Sequence, residues 1–211
     1  RVIRRFVPLF TFLALLTLPP ASHLALADSP AASPVGRPIA DFALQDYRGK
    51  PFQLAELADH KLVVVAFLGT ECPLAKLYAP RLQQLAEKYR SQGVAFIGID
   101  ANRQDGVTEI GHLAKATGVE FPLLKDVGNV VADQFGAVRT PEVFLLDAQR
   151  TVRYWGRIDD QYGVGVHRAK VHREDLALAI DELLAGREVS LAATEDIYPA
   201  DIQLTVDNAN S

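Results

Sequence analysis

The sequence predicts an α/β fold, a central mixed sheet with helices on both faces and an N-terminal hairpin extension. Three observations predict it. Leu62-Val63-Val64-Val65-Ala66-Phe67-Leu68 and Val94-Ala95-Phe96-Ile97-Gly98-Ile99 are apolar on both faces, as strands buried between two layers must be. Between them lies a long stretch with apolar residues at three- and four-residue spacing, the mark of an amphipathic helix. Further helical and strand-like runs then alternate, and such βαβ order places a sheet under helices with right-handed crossovers.

The elements follow in order. Ile39 to Leu44 and Pro51 to Leu54 flank a turn at Asp46-Tyr47-Arg48-Gly49-Lys50 and read as the hairpin. The first long helix runs from Pro73 to Arg90 with Leu74, Leu77, Tyr78, Leu82, Leu85 and Tyr89 on one side. Pro73 suits a first helical turn, whereas Pro80 lacks an N–H and kinks the helix. A second helix fits Gly106 to Thr117, Phe121 to Leu124 is extended, and Gly128 to Phe135 is a short helix. Val143 to Leu146 and Thr151 to Trp155 form a strand pair. Arg173 to Leu184 is the last helix, with Leu176, Ile180, Leu183 and Leu184 as its apolar stripe.

The ends are organised differently. Arg1, Arg4 and Arg5 precede the apolar run Phe6 to Leu18, and Ala25-Leu26-Ala27 follows, so residues 1–27 read as a secretory signal peptide. The run is shorter than the roughly 20 residues of a spanning helix, and no stable membrane insertion is expected after cleavage. Residues 28–37 read as a linker, 38–188 as the folded domain and 189–211 as a polar tail lying over the surface. Export places the protein in the periplasm or outside the cell.

The chain has 211 residues, 49% hydrophobic and 23% charged, with a net charge of -4. Losing residues 1–27 removes three arginines and no acid, leaving 19 basic against 26 acidic residues, a net charge of -7. Its basic residues are scattered, so no nucleic-acid partner is expected. No cofactor or metal site is expected: His60, His112, His167 and His172 do not cluster, and the spacing of the last two puts them on different helical faces. Asp159 and Asp160 read as a solvated turn.

There is one cysteine, Cys72. In an oxidising compartment an odd cysteine is a free thiol, an intermolecular pair or an inert buried residue. Cys72 ends a strand and immediately precedes Pro73 at the helix start. Unpaired N–H groups and the helix dipole favour a negative charge there, and the thiolate is the reactive form.

The stretch Phe67-Leu68-Gly69-Thr70-Glu71-Cys72-Pro73-Leu74-Ala75-Lys76-Leu77-Tyr78-Ala79-Pro80 resembles the active-site segment of thioredoxins. Val138-Arg139-Thr140-Pro141-Glu142-Val143-Phe144 resembles the segment carrying that family's cis-proline, which implies a cis bond before Pro141 lying against the thiol. Ala40-Asp41-Phe42-x-Leu44 and Phe121-Pro122-Leu123-Leu124-Lys125-Asp126 are similar to exported redoxins of the alkyl hydroperoxide reductase/thiol-specific antioxidant branch. The resemblance covers about residues 35–185 and implies a thioredoxin-like fold. It also implies Cys72 as catalytic residue, with Thr70, Glu71, Pro73, Thr140 and Pro141 around it.

Departures narrow the chemistry. The second cysteine of Cys-x-x-Cys falls at Ala75, and the buried acid thioredoxins keep in the strand falls at Ala66. An autonomous dithiol reductase is thereby excluded, because release of a mixed disulfide needs a second thiol. The Pro and Thr that precede a peroxiredoxin's cysteine fall at Val65 and Gly69. Thr70 is one residue out of register, and Arg139 is the candidate for that family's arginine. Glu71 beside the thiol opposes its ionisation. The expected function is a one-cysteine thiol-dependent oxidoreductase that reduces a peroxide or exchanges with a disulfide and is reset by an external thiol or thiol-disulfide partner protein. The alternatives are a binding module that takes an extended peptide along the cis-proline cleft without catalysis, and a copper or haem-maturation accessory protein.

Overall fold

Where the sequence is apolar on both faces, the strand is central. The computed structural model describes residues 33–163 and 165–194. Its strands are β1 (Ala43–Asp46), β2 (Pro51–Gln53), β3 (Leu62–Phe67), β4 (Val94–Asp100), β5 (Leu123–Lys125), β6 (Glu142–Leu146), β7 (Val152–Gly156), β8 (Tyr162–Gly163) and β9 (Val166–His167). Its α-helices are α1 (Pro73–Arg90), α2 (Val107–Thr117), α3 (Val130–Phe135) and α4 (Asp175–Leu184). The main sheet runs β2-β1-β5-β4-β3-β6-β7. β3 pairs in parallel with β4 and β4 with β5, while β6 is antiparallel to β3 and β7 to β6. Every residue of β3 is buried.

Alternate residues of the sheet feed two cores. Val64, Ala66, Val143 and Leu145 face α1, α2 and α4 through Tyr78, Leu82, Ile110 and Ile180. Val63, Val65, Phe67 and Phe144 face α3 and the hairpin through Phe135, Phe52 and Leu54. The ring of Phe135 meets Phe67 at 5.5 Å and Phe144 at 5.0 Å, both edge to face. This is the mixed sheet with helices on both faces that the pattern predicts.

Differences at element ends have local causes. The hairpin starts at Ala43 rather than Ile39, because Ile39 N–H is claimed by the Arg150 carbonyl (2.9 Å) across the sheet. Its turn is held by Asp46, whose Oδ1 accepts the N–H groups of Arg48 and Lys50, each at 2.8 Å. Leu54 begins a 3-10 turn, Leu54–Leu57, instead of ending a strand, with Asp41 Oδ1 accepting the Ala55 N–H at 2.8 Å. α3 begins at Val130, two residues late, because Asp126 Oδ2 accepts the N–H groups of Val131 (2.9 Å) and Ala132 (2.8 Å) from outside the helix. α4 begins at Asp175, since Asp160 Oδ1 takes the N–H groups of His172 and Arg173.

Part of the tail is integral to the sheet edge. The Trp155 N–H donates to the Ala192 carbonyl (2.9 Å) and the Thr194 N–H to the Trp155 carbonyl (3.0 Å), a parallel bridge on β7. The expectation of a tail lying over the surface is corrected for residues 192–194, whose backbone groups pair with the edge strand β7. The expected signal peptide 1–27, residues 28–32 of the linker and residues 195–211 lie outside the described residues. Gly156 permits this docking: its φ is +141° and a Cβ there would lie 1.8 Å from Thr194 Oγ1. Gly156→Ala is expected to detach residues 189–194 and cost roughly 2–3 kcal/mol. A lowered melting temperature with new proteolytic cleavage near residue 190 is the expected result; an unchanged melt overturns it.

Candidate active site around Cys72

Three segments meet at the carboxyl end of β3, the end where open α/β sheets present functional groups. The first is the turn Leu68 to Glu71 leading into α1. Cys72 is the N-cap of α1, with extended backbone (φ -73°, ψ 116°), and Pro73 follows in the first turn. Its sulfur accepts the Ala75 N–H at 3.5 Å. Its S–H donates to the carbonyl oxygen of Thr140 at 3.2 Å, and the side chain is buried, 7% exposed. The second segment is Val138 to Glu142, in which the Thr140–Pro141 peptide bond is cis. The third is the stretch after β4, Asp100 to Asp105.

Gly69 is where the three touch. A Cβ there would lie 2.3 Å from Asn102 Nδ2 and 3.2 Å from Thr140 Oγ1, so no larger residue fits unless Asn102 moves. The Thr70 N–H donates to Asp105 Oδ2 (2.8 Å), and Asn102 Nδ2 donates to the same oxygen (3.0 Å). Asp100 Oδ1 accepts from the Asn102 N–H (3.0 Å) and from Lys125 Nζ (3.1 Å). Burial pushes the Asp105 carboxyl up, but donors from Asn102, Thr70 and Asp100 outweigh it and hold it below the usual range. At Asp100 burial prevails over Lys125 and, with Asp105 adding to it, pushes the carboxyl up to about 8.

A second buried acid fastens the opposite loop. Glu142 Oε2 accepts the N–H groups of Val138 (2.9 Å) and Arg139 (3.4 Å), and Oε1 accepts Trp155 Nε1–H (2.6 Å). Arg139 Nε lies 3.6 Å from Glu142 Oε1. Burial raises the Glu142 carboxyl, against these donors. Glu142 stands opposite Phe67 in the β3–β6 ladder, on the α3 face of the sheet, whereas Ala66 stands opposite Val143 on the α1 face with Cys72.

The sequence-selected residues thus divide. Cys72, Pro73, Thr140 and Pro141 converge, and the Thr70 backbone anchors the turn. The Thr70 hydroxyl is buried without a well-formed hydrogen bond of its own. Glu71 is exposed and pairs loosely with Lys76 at 4.0 Å. Arg139, read as a candidate for the peroxidase arginine, is engaged by Glu142.

Two expectations are corrected. Asp159 is not in a solvated turn: it is 1% exposed, its Oδ1 accepts from Tyr78 Oη (2.8 Å), and its Oδ2 pairs with Arg81. Tyr78 in turn accepts the Tyr162 N–H at 3.0 Å, so the chain leaving β7 folds back over α1 instead of turning into solvent. His167 and His172 lie in β9 and the loop after it, not on a helix, and the His167 ring stacks 5.2 Å from Tyr162. Among the described residues no three His, Cys, Asp or Glu side chains group as metal ligands, and no helix is long and apolar enough to cross a membrane.

Asp100, Asn102, Asp105 and Glu142 escaped the sequence reading. Their one legible signal is position: polar residues directly after a fully apolar strand, or directly before one, at its carboxyl or facing end.

Comparison with known proteins agrees with this geometry. Residues 35–155, from before the hairpin through the middle of β7, match the profile of the AhpC/TSA family. The chain belongs to the AhpC/TSA family. Similar curated proteins are thiol-disulfide oxidoreductases. ResA of Halalkalibacterium halodurans is 30% identical over 112 residues, 53% of this chain and 62% of that protein. The thiol:disulfide interchange protein DsbE of Yersinia pestis is 28% identical over 156 residues, 71% of this chain and 80% of that protein. The matches to ResA proteins span less than two thirds of those relatives' own length. Among solved structures, a hypothetical protein from Sinorhizobium meliloti 1021 is 33% identical with a TM-score of 0.73, covering 82% of this chain and 95% of that one. A thioredoxin domain from Bacteroides vulgatus, 14% identical with a TM-score of 0.55, shares the fold. This AhpC/TSA chain therefore has a thioredoxin-like fold and redox relatives. It differs from a dithiol member in having Ala75 where a second thiol would stand.

Proposed function

We propose that this protein is an exported one-cysteine thiol-disulfide oxidoreductase, with Cys72 as its catalytic residue. The observation that carries the reading is the placement of the only sulfur: N-cap of α1, Ala75 N–H directed at it, and the Thr140 carbonyl 3.2 Å away. The thiolate is the form that attacks, and the Ala75 N–H is a donor aimed at it. The S–H bond to Thr140 holds the resting thiol in place until it gives up its proton.

The cycle takes two exchanges. The Cys72 thiolate attacks one sulfur of an external disulfide, RS–SR; a Cys72–SR bond forms, the RS–SR bond breaks, and one thiolate leaves. A second external thiolate then attacks the R sulfur, releasing a new disulfide and restoring the Cys72 thiolate. With Ala75 at the resolving position, the second step belongs to a partner thiol, a small molecule or a protein. Export into an oxidising compartment would supply the disulfide, and the resetting thiol comes from the partner. Membership of the AhpC/TSA family supports a second oxidant, a peroxide, which would convert the thiolate to sulfenic acid and leave as an alcohol or water. Engagement of Arg139 by Glu142 favours the disulfide.

The test is turnover of bis(2-hydroxyethyl) disulfide with glutathione, with mass spectrometry of the trapped intermediate. One adduct on Cys72 and loss of at least about a hundredfold in rate in Cys72→Ser are expected. Equal turnover by Cys72→Ser overturns the proposal. Rapid sulfenic acid formation with hydrogen peroxide, without disulfide turnover, transfers the assignment to the peroxidase.

A further inference from the structure

The carbonyl that accepts the Cys72 S–H sits in a loop held on both sides by one residue, Glu142. On one side the backbone of Glu142 is paired with Phe67, at the end of the strand that leads into the Cys72 turn. On the other its carboxylate reaches back along the chain, where Oε2 accepts the N–H groups of Val138 at 2.9 Å and Arg139 at 3.4 Å. Thr140 lies between these two fixed points, followed by Pro141, which has no N–H to anchor itself. The Thr140 oxygen stands 3.2 Å from Cys72 Sγ.

The carboxylate is fixed in turn from β7. Oε1 accepts Trp155 Nε1–H at 2.6 Å, and Arg139 Nε lies 3.6 Å from the same oxygen. The Trp155 backbone is itself bonded to Ala192 and Thr194. Glu142, Thr140 and Trp155 are each more than nine-tenths buried. Burial alone does not explain a carboxylate here. Glu142 shares its face of the sheet with Phe67 and Phe144, and an apolar side chain of similar volume often replaces a buried ion at no cost. What the carboxylate adds is two acceptor oxygens pointing apart, one for the loop and one for the indole.

We propose that Glu142 is a positioning residue for Cys72: it ties the Val138–Thr140 loop to β7 and so holds the Thr140 carbonyl against the thiol. The consequence for disulfide turnover rests on the function proposed above, but the placement of the S–H does not.

The chain has one cysteine, so its infrared S–H stretch is a single band that reports this hydrogen bond directly. In the wild-type protein the band is expected below the frequency of a free thiol. Glu142→Leu fills similar space without an acceptor. Its band is expected at the free-thiol position, and its kcat with bis(2-hydroxyethyl) disulfide and glutathione is expected to fall roughly tenfold. In Glu142→Gln the amide oxygen still takes the loop N–H groups, so the band and most of the rate are expected to return. Lost stability alone would not shift the band of a protein that remains folded. An unmoved band in Glu142→Leu, or a band lost equally in Glu142→Gln, overturns the proposal. Should Glu142→Leu fail to fold, amide exchange in the wild-type protein decides. The Val138 and Arg139 N–H groups are expected to exchange at least about tenfold more slowly than free loop amides, and free-amide rates at both overturn the proposal. A shifted band in a protein inert toward disulfides would refute the function above and leave this assignment standing; full turnover with an unmoved band would do the reverse.

Discussion

Ala75→Cys is expected to convert the protein into one that closes an internal disulfide. Ala75 is fully buried one turn after the N-cap, and its N–H already points at Cys72 Sγ from 3.5 Å. Side chains three residues apart on a helix have β-carbons about 5–6 Å apart, close to the roughly 3.5–4.5 Å that a disulfide spans. The non-helical backbone at the N-cap, ψ 116°, supplies the remaining freedom. After mild oxidation, thiol titration of the variant should find none free, with a mass loss of two hydrogens. The mixed disulfide at Cys72 would then be resolved internally, and release of substrate should accelerate by about a hundredfold or more because the attacking thiol is held in place. Two titratable thiols after oxidation would show that the site cannot close, and would make the absence of a second cysteine here more than the loss of one side chain.

Asp159→Ala carries the largest expected loss of stability. The carboxylate is 1% exposed and is shared by Arg81, Tyr78 Oη and the Gln161 N–H, the last at 2.8 Å. Removing it takes from the buried Tyr78 hydroxyl its shortest acceptor, leaving the Tyr162 carbonyl at 3.1 Å, and deprives the Arg81 guanidinium of its counter-charge. Breaking a buried pair by deleting one partner costs about 3–5 kcal/mol, and Arg81, 30% exposed, recovers part of that from water, so about 3 kcal/mol is expected. Double-mutant analysis with Tyr78→Phe checks the mechanism: the two losses should fall short of additive, since both remove the same hydrogen bond. Strictly additive losses would place the energy elsewhere. The same contact ties the chain after β7 to α1, so its loss should also raise amide exchange in β8 and β9 before the main sheet opens.

The strands of the main sheet and the four α-helices are legible in the residues, whereas β8, β9 and the 3-10 turn Leu54–Leu57 are not. Leu62 to Phe67 is apolar at every position, and only a strand between two layers can bury every side chain. Pro73 after Cys72 likewise marks where α1 begins, because a proline ring fits the first turn and breaks later ones. The single thiol is plain in the residues, and the missing partner at Ala75 and the loop ending at Pro141 were legible through the resemblance to thioredoxins.

What surrounds that thiol was decided by tertiary structure alone. Asp105 lies 35 residues from Thr70, and Asp159 lies 81 from Tyr78. As sequence, Asp100, Asp105, Glu142 and Asp159 look like ordinary surface acids, since a carboxylate carries no periodic signal and is usually solvated. The first three are buried because the parallel β3–β4 pair and the antiparallel β3–β6 pair bring the ends of three strands to one point, where backbone N–H groups, Asn102 and Trp155 replace water, and Asp159 is buried against Tyr78 and Arg81 of α1. Periodicity reports how one side chain meets the sheet it belongs to; the partner that neutralises a buried charge is set by which strands the fold makes neighbours.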